Sequence, residues 1–227
     1  MRCVSKLLLS AMCSFIGSTA IASEITMADI DGPGCDNILG SKMCVILLVE
    51  GEIEKGDGAK LRQIIEKISV TFSEKFELKT RVGKIHFNSP GGDLYEAMTI
   101  GRLIRQEMIT TQVTRDSLCY SACVIAYLGG VQRIPVGPIG IHSFYSKEFI
   151  GAPNFSQASE RYNEVSSQIE NYLKELRIPA SFLDEMKKVP HYNLKKLAFE
   201  DLERYGVFGI DPVYAQIKPR KQVKPKK

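Results

Sequence analysis

The chain has 227 residues, 44% hydrophobic and 25% charged, with a net charge of +4. That suffices for one domain with a sizeable core, carries too little net charge for a disordered chain, and shows no period of the kind a solenoid needs. The basic excess sits at the ends: Arg2 and Lys6 come before residue 23 with no acid, and six lysines and arginines follow residue 215, again with no acid. The body between is therefore net acidic, which argues against a general nucleic-acid surface.

Residues 1–22 read as a signal peptide. A basic start precedes an apolar run from Leu7 to Ile21, and Ala20-Ile21-Ala22 is a small-residue cleavage pattern. The run is shorter than the ~20 residues of a membrane span, although an uncleaved anchor is the alternative. The mature chain is thus expected outside the cytoplasm, periplasmic or secreted, after cleavage near Ala22. Residues 23–42, with their Gly, Asp and Ser and Pro33, read as a loose lead-in to a domain over 43–215.

Met43 to Val49 is a continuous apolar run with β-branched residues, the pattern of a buried strand. Gly51 to Gly58 turns the chain. Leu61, Ile64, Ile65, Ile68 and Phe72 then recur at helical spacing over about 57–77. Val82 to Asn88 is a second strand, cut off by Ser89-Pro90-Gly91-Gly92, and Leu94 to Ile104 a second helix. Thr110 to Thr114 is a strand, Ser121 to Leu128 a small apolar helix, and Val131 to Val136 and Ile139 to Phe144 are strands about a Gly137-Pro138 turn. Residues 147–157 read as a loop. A polar helix follows over about 156–176, with Ile169, Leu173 and Leu176 on its apolar side, then a helix from Ala180 to Lys188 and a strand and helix within Leu194 to Tyr205. Such alternation gives a largely parallel α/β arrangement. Periodicity alone does not separate a doubly wound sheet from a spiral of strand–strand–helix turns. Residues 216–227 read as a disordered basic tail.

Three short segments carry chemistry. Gly91-Gly92 opens a helix after a strand, where backbone N–H groups can hold an anion or simply make a tight turn. Ser121, among small and apolar residues, is either a helix N-cap or a nucleophile whose neighbour Ala122 offers a further N–H donor. His142 lies on an apolar strand, where a histidine is either packed in the core or a general base. Cys3 and Cys13 go with the signal, so Cys35, Cys44, Cys119 and Cys123 remain. Export makes disulfides plausible. The pair Cys35–Cys44 is expected first; Cys119 and Cys123 are either a bridge fixing the Ser121 turn, the favoured reading, or two packed thiols. No metal or cofactor is expected.

In order and context these segments resemble the proteolytic subunit of the Clp protease and its predicted periplasmic relatives in the Clp/crotonase superfamily. The resemblance covers about 43–209. It rests on Gly51-Glu52-Ile53, Ile85-His86-Phe87-Asn88-Ser89-Pro90-Gly91-Gly92, Cys119-Tyr120-Ser121-Ala122-Cys123, Gly140-Ile141-His142 and Glu203-Arg204-Tyr205-Gly206. It implies a single-domain crotonase/Clp-type β-spiral. Ser121 would be the nucleophile, His142 the base, the Gly92 and Ala122 N–H groups the oxyanion hole, and Gly91 the residue that shapes the loop.

The chain departs from that pattern where the family carries the aspartate that orients the histidine. Val189 to Leu194 holds no acid; Asn193 is the candidate in its place, and Asp184 is the nearest earlier aspartate. The expectation is an exported serine hydrolase acting on a peptide or protein, with no ATPase partner. The alternative is a non-catalytic scaffold or binding protein on the same fold. The helix at 156–176 lies where Clp subunits carry their ring-stacking handle, so self-association is expected through it.

Overall fold

The computed structural model describes residues 23–31, 43–76, 80–144 and 155–216. The expected signal peptide, Cys35 and residues 217–227 of the tail lie outside them. Strand β2 (Met43–Glu50) stands inside the main sheet, with β1 (Glu24–Asp31) antiparallel on one side and β3 (Thr80–Asn88) parallel on the other. That position explains its unbroken apolar run. Val45, Ile46, Leu47 and Val49 are all buried, because both faces are covered. The sheet continues through β4 (Thr110–Val113) and β6 (Gln132–Pro135), both parallel, and ends on antiparallel β9 (Gly209–Ile210).

Parallel neighbours need crossovers, and helices supply them. α1 (Asp57–Phe76) joins β2 to β3, and α2 (Leu94–Gln106) joins β3 to β4. α2 begins where Asp93 caps it, the carboxylate accepting from Glu96 N–H at 2.9 Å. Its buried face carries Ala97, Met98, Ile100, Leu103 and Ile104, the spacing of one helical side. The short α3 (Ala122–Tyr127) is buried throughout. α4 (Phe155–Glu175) presents Ile169, Tyr172 and Leu173 to the core, and α5 (Ser181–Lys188) adds Phe182, Leu183 and Met186. α6 (Phe199–Arg204) and a 3-10 turn at Tyr214–Gln216 finish the described chain.

A second extended layer lies beyond the ends of the parallel strands. β5 (Cys119–Tyr120), β7 (Ile139–Ile141) and β8 (Lys195–Lys196) form a three-stranded sheet, and single bridges add Ser89 to Cys119 and Gly92 to Ile53. The chain therefore passes four times from a parallel strand to a short extended stretch and on to a helix: β2, Ile53, α1; β3, Ser89–Gly92, α2; β4, β5, α3; β6, β7, α4. The architecture is a mixed α/β domain whose main sheet is parallel inside and antiparallel at both edges.

Three readings of the sequence are corrected. Residues 24–31 are a strand, not a loose lead-in; their acids suit an edge exposed on one side. The stretch Ile139 to Phe144 is strand only to Ile141, and Gln216 belongs to the 3-10 turn rather than to the tail. Among the described residues no helix is long and apolar enough to cross a membrane.

One buried charge cluster ties the C-terminal segment down. Arg105 on α2 meets Asp211 at 2.6 Å, Arg133 on β6 lies 3.9 Å from the same carboxylate, and Arg133 also donates to the carbonyls of Leu128 and Gly206. Burial pushes the Asp211 carboxyl up. The Arg105 guanidinium and the N–H groups of Tyr214 and Val213 outweigh it and hold the carboxyl below its usual value.

Candidate active site

The turn after β3 is built almost wholly from backbone. Asn88 spans two elements, donating its amide to Glu50 Oε1 at 2.7 Å and accepting from Leu118 N–H at 3.2 Å. Ser89 is buried; its N–H donates to Leu118 C=O, its C=O accepts from Tyr120 N–H, and its hydroxyl oxygen accepts from Gly91 N–H at 3.2 Å. Gly91 and Gly92 take φ of 116° and 135°, a region that favours glycine. Ile53 clasps the turn from outside: its N–H donates to Gly91 C=O at 2.7 Å, and its C=O accepts from Asp93 N–H at 2.8 Å. A side chain on Gly92 would strike the Ile53 backbone.

Ser121 sits between β5 and α3 with φ 55° and ψ −128°, a conformation that costs a non-glycine residue about 1–3 kcal/mol. Its N–H donates to Gly140 C=O at 2.9 Å, and its C=O accepts from Val124 N–H at 3.0 Å. The hydroxyl makes no capping bond to the helix. Of the two readings of this serine, the N-cap is thus the one the geometry does not supply. Cys119 and Cys123 are joined in a disulfide with their Cα atoms 5.3 Å apart, so a small covalent ring encloses Ser121. The bridge can close because Cys119 lies in β5, before the helix begins. Cys44 is disulfide-bonded as well; the Cys35 end of the expected pair lies outside the described residues.

The register of β5 on β7 pairs Cys119 with Ile139 and Tyr120 with Gly140. Ser121 and Ile141 come next along these neighbouring strands, which run about 4.8 Å apart, and His142 follows directly. His142 is half-buried. Its ring Nδ1 stands 2.7 Å from the Ser143 carbonyl oxygen. No hydrogen bond joins the Ser121 hydroxyl to the ring, a common state in a site without substrate. The N–H groups of Gly92 and Ala122 have no acceptor among the described residues.

Asn193 is not brought to the imidazole. It is exposed, its backbone N–H donates to Pro190 C=O at 2.9 Å, and its side chain makes no bond to His142. Asp184 is exposed on α5 and does not reach the ring either. What meets Nδ1 is a main-chain carbonyl, which no side-chain pattern announces. Gly140 was part of the quoted motif, and its role is plain in the structure: a Cβ there would press on the Tyr120 ring and on Leu194. A separate groove between α2 and α4, lined by Tyr95, Met98, Thr99, Arg102, Gln168, Asn171 and Glu175, includes none of these groups.

No protein-family model matches the chain, and no curated protein matches it. Among solved structures it is similar to a mutant of the 1510-N membrane-bound stomatin-specific protease, at 18% identity and a TM-score of 0.43, over 71% of this chain and 75% of that one. At that level the likeness assigns no function, which has to come from the site.

Proposed function

We propose that this chain is an exported serine hydrolase that cleaves peptide or protein substrates by acyl transfer, on a β-spiral of the Clp/crotonase kind. The observation that carries the proposal is Ser121: a hydroxyl not used in capping, at a strained backbone position, beside the strand that leads into His142. The four strand–stretch–helix passages support the spiral, and the bridge around Ser121 supports an oxidising compartment such as the periplasm.

In this reading His142 Nε2 takes the Ser121 proton as the hydroxyl attacks the scissile carbonyl. The oxyanion faces the Gly92 and Ala122 N–H groups, the protonated ring returns its proton to the leaving group, and water then releases the acyl chain. Base catalysis of this type contributes about 10²–10⁴ in rate, and each oxyanion donor about 10²–10³. Gly91 shapes the donor loop. Self-association through α4 belongs to the proposal; an ATPase partner does not.

The non-catalytic alternative is favoured by one observation: among the described residues no carboxylate is bonded to His142. Fluorophosphonate labelling of oxidised full chain decides between the two. Wild type is expected to carry the adduct on Ser121, with none in Ser121→Ala and a large loss in His142→Gln. An unlabelled, folded wild type would leave the scaffold reading.

A further inference from the structure

We infer that the third position of this site is filled by the backbone: the Ser143 carbonyl fixes His142 as the Nδ1–H tautomer and leaves Nε2 as the basic nitrogen, with no side chain of the described residues bonded to the ring. The inference rests on the hydrolase reading for its purpose, but not for its geometry.

A carbonyl oxygen only accepts. The ring nitrogen 2.7 Å from it must therefore carry the proton, and a neutral imidazole with Nδ1–H has a free lone pair on Nε2. That is the tautomer a general base needs, and it is what a buried carboxylate ordinarily imposes.

The residue that bears the carbonyl is held through its own N–H, one peptide group earlier. Ser143 N–H donates to Val189 C=O at 2.7 Å, and Val189 N–H donates to Met186 C=O at the end of α5. On the strand before it, Ile141 pairs with Lys195 and Gly140 with Lys196. The segment after α5 is the one in which the resemblance leads one to expect an aspartate. Here it meets the residue after the histidine, its Val189 carbonyl accepting from Ser143 N–H, instead of reaching the ring through a side chain. His142 thus takes its orientation from the carbonyl of the next residue, whose position is set by the bond of its own N–H to Val189.

The substitution has a chemical consequence. A carbonyl orients the ring as a carboxylate does but brings a dipole in place of a full charge, so it does less for the imidazolium that forms as Ser121 attacks. Ser143 is a positioning residue here, and it acts through an atom that side-chain mutagenesis leaves in place.

Two measurements test this. The first is the ring nitrogen spectrum of His142 in the ¹⁵N-histidine-labelled, oxidised full chain at about pH 8.5, where an ordinary histidine is neutral, assigned by its disappearance in His142→Gln. The expected result is a protonated Nδ1 and a bare Nε2; a ring protonated on Nε2 overturns the inference. The second replaces the Ser143–Phe144 amide with an ester, by incorporating the α-hydroxy analogue of phenylalanine at 144. This weakens the Ser143 carbonyl as an acceptor, and the N–H it removes has no acceptor among the described residues. Fluorophosphonate labelling of Ser121 should slow by about five- to tenfold, the worth of one hydrogen bond, at an unchanged melting temperature. An unchanged labelling rate overturns the inference. If the ester chain does not fold, the wild-type ring spectrum still decides. A wild type that never labels removes the hydrolase reading, while the spectrum judges the tautomer by itself.

Discussion

Gly91 lies against Ser121: a Cβ built on the glycine falls 2.7 Å from Ser121 Cβ, 2.9 Å from Tyr120 O and 3.1 Å from Ala122 N. Two turns far apart in sequence are thus in backbone contact, and the glycine at one sets the place of the hydroxyl at the other. Gly91→Ala adds a methyl group that the serine turn must move to admit, at a φ of 116° that alanine does not favour. Labelling of Ser121 is expected to fall by about a hundredfold, since small misplacements of reacting groups cost on that order. A variant that folds and labels at the wild-type rate would show that the contact does not position the nucleophile.

Ser121→Gly should separate stability from activity. Glycine adopts φ 55° without strain, which removes about 1–3 kcal/mol, while its looser unfolded chain costs roughly 0.5–1 kcal/mol. The net expectation is a melting temperature equal to or above that of wild type, with labelling abolished. A clear drop in melting temperature would mean the serine side chain is itself a packing element.

Reduction of Cys119–Cys123 should disturb Ser121 before it disturbs the fold. Both sulfurs are buried, and the bridge spans the residue whose backbone is strained. Under a thiol reductant, or in Cys119→Ala/Cys123→Ala, labelling should drop at temperatures where far-ultraviolet circular dichroism is still native. Thiol counting in denaturant fixes the number of bridges. Coincident loss of labelling and of secondary structure would assign the bridge to global stability alone.

The Asp211 cluster gives a pH prediction. The carboxyl is held below its usual value in the folded chain, so its contribution is complete above the unfolded value near pH 3.9 and fades as pH falls through the lower folded value. The melting temperature of Asp211→Asn should lie below that of wild type at neutral pH. The gap should narrow below about pH 4, as the wild-type carboxyl takes up its proton. A gap independent of pH would show that the ion pair with Arg105 is not its source.

Much of this architecture is legible in the sequence because it follows from period and punctuation. The apolar run of β2, the helical spacing in α1 and the Ser-Pro-Gly-Gly break after β3 each state their element without tertiary context. β5 and β9 are two residues long and carry no period at all; pairing with Ile139 and Gly140, or with Gln132 and Arg133, is what makes them strands. β1 is hidden for another reason. Asp29 looks like a loop residue, and on an edge strand it is tolerated because it is exposed. At the site, the Gly-Gly, Ser and His motifs name side chains. The partner of His142 Nδ1 is a peptide oxygen, and a peptide oxygen has no letter.

The two antiparallel strands of the main sheet stand at its outer edges, and they come from opposite ends of the described chain. β1 covers the outer side of β2 along nearly its whole length, whereas β9 covers β6 over only two residues. A chain starting at Met43 would keep the Ser121 turn and lose that cover. It would present a long, apolar row of unpaired N–H and C=O groups, the template on which foreign strands add. Such a truncation should precipitate or form ribbons at concentrations where the intact chain stays dissolved. The first strand thus works as a shield against aggregation, remote from the chemistry.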